Sequence, residues 1–315
     1  MKKFFKIPSI TLAVIVILYC IAIPIFRSDF VLHQKDIFTP TPYQKDSISE
    51  QIKDANVAWV SKDSVQLFAS KSLASKAEIS FKLNHVDIQR KFINGQEYFD
   101  FKPEKVDRTV IYFLGNTANV FSYIDDFTEL AKSRNIEIFV PVYSINGFSQ
   151  EKGELTTQFK LNQDFLNFVE KTAKVDVVIG HSLGTVFATN VAVDNKIPEL
   201  VLLAPVSNTQ DVIKNAYMQL SGILYPLRPF FDIKVGDELL KNDLPKRLNL
   251  TKKIKPYQGK LLIFHGTKDE NLAFFMGENL FKSSSAPQKE FIRIENGDHD
   301  AAFEKSNWQN LMQKL

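Results

Sequence analysis

Val175-Asp176-Val177-Val178-Ile179-Gly180-His181-Ser182-Leu183-Gly184 leads directly into Thr185 to Val193, a stretch compatible with helix. The nearly continuous apolar residues of 175–179 suit a strand covered on both faces. Glycines two places before and two places after Ser182 let strand and helix approach at a sharp turn, with the serine hydroxyl presented at its apex. The chain has only 12 glycines in 315 residues, so this spacing in a strand-turn-helix setting is informative. It selects Ser182 as a candidate nucleophile and the backbone N–H of Leu183 as a donor beside it.

Strand-length apolar runs recur on either side of this segment, at Val110 to Leu114, Ile136 to Val142, Leu200 to Leu203, Leu261 to Phe264 and Phe291 to Ile294. Helical stretches separate them, as in Leu155, Phe159, Phe165, Leu166 and Val169, which fall on one face at helical spacing. The pattern predicts an α/β fold with a mostly parallel central sheet and helices on both faces. Antiparallel strands open the domain: Val57 to Ser61 and Val65 to Ser70 flank a turn, and Asn94-Gly95 between alternating runs marks a hairpin.

A serine hydroxyl needs a base, and the base needs an orienting carboxylate. In such folds the chain order is serine, acid, histidine. Two histidines follow Ser182. His265 continues the strand at 261–264, which predicts a packed role, whereas His299 lies in the loop Asn296 to Asp300 just past the last strand. His299 is therefore the candidate base. The loop Gly266 to Glu270 supplies Asp269 as the acid, with Glu270 behind it; Asp298 and Asp300 read as turn formers or weak electrostatic neighbours of the base. A metal site at Asp298, His299 and Asp300 lacks further ligands elsewhere, so no metal and no cofactor is expected. The loop after 110–114, Gly115 to Asn119, offers the backbone N–H of Asn116 as the second oxyanion donor, although Gly and Asn there also suit a turn and a helix cap.

At the N-terminus, Lys2, Lys3 and Lys6 precede an uncharged apolar run from Ile7 to Phe26. About 20 residues at roughly 1.5 Å each match the hydrocarbon thickness of a bilayer, and no small-x-small cleavage site follows. The expectation is a cytoplasmic tip (1–6), a transmembrane anchor (7–26), a stalk or linker (27–55, with Thr39-Pro40-Thr41-Pro42) and one folded domain (56–315) outside the cytoplasm. Secretion after signal cleavage is the alternative. The only cysteine, Cys20, falls in the anchor, so no intramolecular disulfide is possible. The formal charge of +3 comes from 39 basic and 36 acidic residues spread along the chain, which gives no basic stripe for nucleic acid. Lys252, Lys253 and Lys255 read as a solvated loop.

Four motifs in order carry a resemblance: Gly-His-Ser-Leu-Gly at 180–184, Phe-Leu-Gly-Asn-Thr-Ala-Asn at 113–119, His-Gly-Thr-Lys-Asp-Glu at 265–270 and Gly-Asp-His-Asp at 297–300. Together they resemble the α/β-hydrolase superfamily. Within it, they are similar to membrane-associated serine hydrolases with a His-Gly-Asn-type oxyanion loop, which include lysophospholipases and depalmitoylating thioesterases. The resemblance covers about residues 56–315 and implies a triad of Ser182, Asp269 and His299 with Asn116 and Leu183 at the oxyanion hole. Leu114 replaces the family's histidine before the loop glycine, Ala118 stands where glycine is common, and a Tyr-Arg-Gly-Tyr-Gly-x-Ser motif is degraded to Tyr143 through Ser149.

Residues 206–255 form an insert where this fold commonly places a small helical cap. Its Tyr217, Leu224, Tyr225 and Phe230 are expected to bind a hydrophobic acyl group. The function expected is hydrolysis of a carboxylic ester or thioester of a small-molecule or lipid-like substrate. A peptidase or aminopeptidase, with Asp232, Asp237 or Glu238 holding a substrate amine, is the alternative enzyme, and a catalytically silent interaction module the alternative of another class. Nothing in the sequence sets the oligomeric state.

Overall fold

The computed structural model describes residues 28–38, 41–42, 78–116, 118–143, 146–147, 153–219 and 230–315. At its centre is a nine-stranded sheet built from β3 (Ile79–Leu83), β4 (Val86–Ile93), β5 (Gln96–Pro103), β6 (Arg108–Phe113), β7 (Ile136–Pro141), β9 (Val177–His181), β10 (Glu199–Leu203), β12 (Lys260–Gly266) and β13 (Gln288–Ile294). The strand order is β13-β12-β10-β9-β6-β7-β5-β4-β3, and apart from it the short β2 (Thr41–Pro42) and β8 (Asn146–Gly147) pair in parallel. From β7 to β13 the neighbours are parallel, and β3, β4 and β5 form an antiparallel flank.

The flank is made by two tight hairpins. Asn94 and Gly95 sit at φ +49° and +83°, the left-handed pair that matches strand twist, so the Asn-Gly signal is realised as β4-turn-β5. Asn84-His85 makes the same turn between β3 and β4 at φ +48° and +70°, although His85 gives no sequence signal for it. The strands expected at 57–61 and 65–70 lie outside the described residues.

Alternate residues of the parallel strands feed two cores. Tyr112, Ile179, Leu203 and Phe264 face one side, where α2 (Ile124–Arg134) and α9 (Lys305–Lys314) contribute Phe127, Leu130, Trp308 and Leu311. Ile111, Phe113, Val178, Leu202 and Ile263 face the other, against Phe165 and Leu166 of α3 (Leu155–Val169), Phe187 and Ala188 of α4 (Gly184–Asn195) and Leu280 of α8 (Phe275–Ser283). Burial on both faces explains why these strands read as apolar runs without alternation.

Two expectations need correction. The stretch 27–55 is not all linker: β1 (Ser28–Leu32) pairs in parallel with β11 (Phe231–Val235), and α1 (Gln34–Ile37) leads to Phe38, only 2% exposed. Phe38 packs on Tyr143 and Phe187 at ring separations of 5.8 and 6.1 Å. Moreover, the insert 206–255 is not simply a helical cap. After α5 (Thr209–Gln219) it supplies β11 and α6 (Leu244–Arg247), while Leu250 of α7 (Leu250–Lys253) and the following Ile254 are buried in the body's own core. Burial of apolar surface is the reason in both cases, since Phe38, Leu250 and Ile254 would otherwise stand in water. The run 7–26 expected to span a membrane lies outside the described residues, and among these no helix is long and apolar enough to cross one.

Candidate active site

Ser182 sits immediately after β9 at φ +52°, a left-handed conformation rare for a residue with a side chain. Its N–H donates to Leu203 O at 2.9 Å, and its own carbonyl accepts from Thr185 N at 3.0 Å and Thr185 Oγ1 at 2.5 Å. These bonds hold the strained turn in place. A Cβ on Gly184 would collide with the carbonyl oxygens of Phe113 and Leu114, and one on Gly180 with Gly184 O. The two glycines therefore let α4 start directly against β9 and the end of β6.

His299 enters on the loop beyond β13. Its Nδ1 is 2.8 Å from Asp269 Oδ2 and its Nε2 is 2.9 Å from Ser182 Oγ. A proton on Nδ1, where the carboxylate requires a donor, leaves the Nε2 lone pair to accept from the serine hydroxyl. Asp269 follows β12. Its Oδ1 accepts from the N–H groups of Asn271 at 2.9 Å and Leu272 at 2.8 Å, and its Oδ2 also lies 3.2 Å from His265 Nε2. Burial by itself raises its pKa, but the hydrogen bonds from His265 and His299 outweigh burial and hold the carboxyl well below the usual range. Asp269 is thus an ionised, fully engaged carboxylate.

Two other histidines pack beside this line. His265 Nε2 donates to Leu272 O at 2.8 Å, so its proton lies on the side facing Asp269. His181 is buried; its Nε2 approaches His299 O at 3.4 Å and Asp300 Oδ1 at 3.5 Å. Burial, with His299 beside it, pushes the His181 pKa down to about 3. Asp300 N donates to Asp298 Oδ1 at 3.0 Å, the turn-forming bond expected of this pair.

A cavity of about 640 Å³ opens over Ser182 and His299. Asn116 and Leu183 both line it, and Leu183 stands at the N-terminus of α4, where backbone N–H groups lack helical partners. The Asn116 loop is braced at its start, where Tyr143 Oη donates to Leu114 O. Asn119 caps the short 3-10 turn Val120–Tyr123 through Ser122 N, so the loop also serves as the cap that Gly and Asn suggested.

The acyl-binding residues expected in the insert fare differently. Leu224 and Tyr225 lie outside the described residues. Tyr217 and Phe230 are not in the cavity wall, and the Tyr217 hydroxyl accepts from Ile233 N at 2.7 Å and approaches Asp232 Oδ1 at 3.3 Å, tying α5 to β11. The apolar wall is instead Leu32, Val186, Val206, Val212, Leu248 and Leu272. Val186 could have been read from the sequence, one helical turn past Ser182; Leu32 could not. Nor do the acids of the peptidase alternative reach the cavity: Asp232 faces Tyr217, Asp237 is exposed, and Glu238 Oε1 accepts from His33 Nδ1 at 2.8 Å and Gln34 N at 3.1 Å.

No protein-family model matches the chain, and no curated protein matches it in sequence. Solved structures do match its fold. Acetyl xylan esterase 1 from Thermoanaerobacterium sp. superimposes with a TM-score of 0.55 at 14% identity, covering 90% of this chain and 98% of that one. A putative esterase from Staphylococcus aureus gives 0.55 at 14% identity, over 84% and 96%. Alpha/beta hydrolase domain-containing protein 10 from mouse gives 0.52 at 15%, over 76% and 96%. The chain has the α/β-hydrolase fold.

Proposed function

We propose that the protein is a serine hydrolase that cleaves carboxylic ester or thioester bonds of hydrophobic acyl substrates. The observation that carries this reading is the continuous hydrogen-bonded line from Asp269 through His299 to Ser182 Oγ, at 2.8 and 2.9 Å, opening on an apolar-walled cavity. His299 Nε2 takes the hydroxyl proton as Oγ attacks the acyl carbon, and the ionised Asp269 stabilises the imidazolium that forms. The oxyanion is received by the N–H groups of Leu183 and Asn116. His299 then returns the proton to the leaving alkoxide or thiolate, and water repeats the sequence on the acyl-serine. In this reading the run 7–26 anchors the chain in the membrane, with the hydrolase domain outside the cytoplasm.

A fluorophosphonate probe tests it. Wild-type protein is expected to be labelled and Ser182→Ala not; labelling that survives the substitution would remove the assignment. A panel of p-nitrophenyl acyl esters of graded length set against aminoacyl anilides reads the substrate class, with preference for the anilides overturning the ester reading.

A further inference from the structure

Two neighbouring peptide units hold one oxygen of the Asp269 carboxylate. The N–H of Asn271 and the N–H of Leu272 donate to Asp269 Oδ1 at 2.9 and 2.8 Å. The first belongs to the same peptide plane as the carbonyl of Glu270, and the second to the same plane as the carbonyl of Asn271. In a planar trans peptide the carbonyl points opposite to the N–H, so a group that fixes the carbonyl also fixes the direction in which the N–H donates. Both of these carbonyls are held by one helix. Gln219 Nε2 donates to Glu270 O, and Asn215 Nδ2 donates to Asn271 O at 2.8 Å. The two side chains are four residues apart on α5, the spacing that places them one above the other on a single helix face.

α5 lies outside the central sheet, in the insert, yet it is seated firmly on the body. Asp211 Oδ2 accepts from Asn279 Nδ2 of α8 at 3.0 Å, and Lys214 Nζ stands 4.4 Å from the centre of the Phe275 ring. Thr209 and Val212, at the start of the helix, line the Ser182 cavity; Asn215 and Gln219 do not. Asn215 is buried and Gln219 exposed. Hydrogen bonds in series polarise one another, so a donor on each carbonyl also strengthens the N–H on the far side of the peptide toward the carboxylate.

We infer that Asn215 and Gln219 are positioning residues for Asp269. They touch neither Ser182 nor His299. They lock the two peptide planes that grip Asp269 Oδ1, and thereby hold Oδ2 toward His299 Nδ1, 2.8 Å away. The insert that walls the cavity is thus also a support of the carboxylate. The effect on turnover rests on the hydrolase reading; the effect on the Asp269–His299 bond does not.

The test uses the full chain. Gln219→Leu removes a donor at an exposed position, and Gln219→Lys puts back a donor of similar reach. On a short soluble p-nitrophenyl ester, Gln219→Leu is expected to lower kcat about fivefold with KM within about twofold, and Gln219→Lys to stay within about twofold of the unsubstituted protein. Asn215→Leu, which keeps the volume and removes the donor, should lower kcat about tenfold in the same pattern. A change confined to KM, equal losses in Gln219→Leu and Gln219→Lys, or full activity in both leucine variants would overturn positioning. Denaturant midpoints are measured alongside, and if the buried Asn215→Leu does not fold, the exposed Gln219 pair decides.

A second readout needs no turnover. The proton between His299 Nδ1 and Asp269 is followed as a far-downfield 1H resonance, assigned by its loss in His299→Gln. It is expected to move upfield in Gln219→Leu and to return in Gln219→Lys; a resonance unmoved by Gln219→Leu counts against positioning. If the unsubstituted chain neither hydrolyses esters nor takes up fluorophosphonate, the hydrolase reading fails, while this resonance still decides whether α5 holds Asp269.

Discussion

His265 Nε2 lies 3.2 Å from Asp269 Oδ2, the same oxygen that meets His299 Nδ1 at 2.8 Å. The Asp269 carboxylate is therefore held from two sides by imidazoles, and through its other oxygen by the N–H groups of Asn271 and Leu272.

His265→Asn removes one of these supports without touching Ser182 or His299. We expect kcat/KM on a soluble ester to fall about tenfold, equivalent to roughly 1.4 kcal/mol, with KM nearly constant. A rise in KM with kcat unchanged would instead mean that His265 shapes the cavity and does not position the acid.

His181 gives a pH signature. Its folded-state pKa is about 3, while an unfolded histidine titrates near 6.5. As pH falls from about 6.5 toward 3, the unfolded chain binds a proton that the folded chain does not, so stability declines by up to about 1.4 kcal/mol per pH unit from this group. Above that window its contribution is fully present. Urea denaturation across pH 4–7 should show a shallower decline in His181→Asn than in the wild type; parallel curves would rule out a neutral, buried His181.

Gly184→Ala places a methyl group against two backbone carbonyls, those of Phe113 and Leu114, which cannot rotate away. A destabilisation of about 2–4 kcal/mol is expected, together with loss of fluorophosphonate labelling in whatever fraction remains folded. Denaturant midpoints measure the first effect and probe kinetics the second.

Phe38→Ala tests how the N-terminal segment is fastened. Removing a buried ring that touches Tyr143 and Phe187 should cost about 3 kcal/mol. Because Leu32 and Asp36 on the same segment line the cavity, KM for hydrophobic esters should rise with it. Limited proteolysis should cut near residues 28–38 sooner in the variant, and an unchanged cleavage pattern would mean that the β1–β11 ladder alone holds the segment.

Much of the site was legible in the sequence because its signals are local. Gly180, Ser182 and Gly184 encode a steric requirement within five residues, Asn94-Gly95 encodes a left-handed turn, and the apolar runs 110–114, 136–142, 200–203, 261–264 and 291–294 encode strands buried on both sides. The loops carrying Asp269 and His299 follow such runs directly, so their place at the ends of neighbouring strands follows from chain order.

Other features have no local period or motif. β1 was unreadable as a strand because its partner, β11, is about two hundred residues away, and pairing over that separation is decided by what each strand can bury. Tyr217 has the composition of a cavity residue, yet its hydroxyl is taken by β11. His265 looked like a packed strand histidine and is one, but its contact with Asp269 depends on how the 269–272 turn folds back over β12. The sequence by itself thus determined the serine turn, the sheet and the loops that carry Asp269 and His299, through short-range backbone sterics and apolar patterning. Only the tertiary structure decided the cavity wall, the second imidazole on Asp269 and the docking of residues 28–38 over the site, because these depend on long-range packing that no single segment specifies.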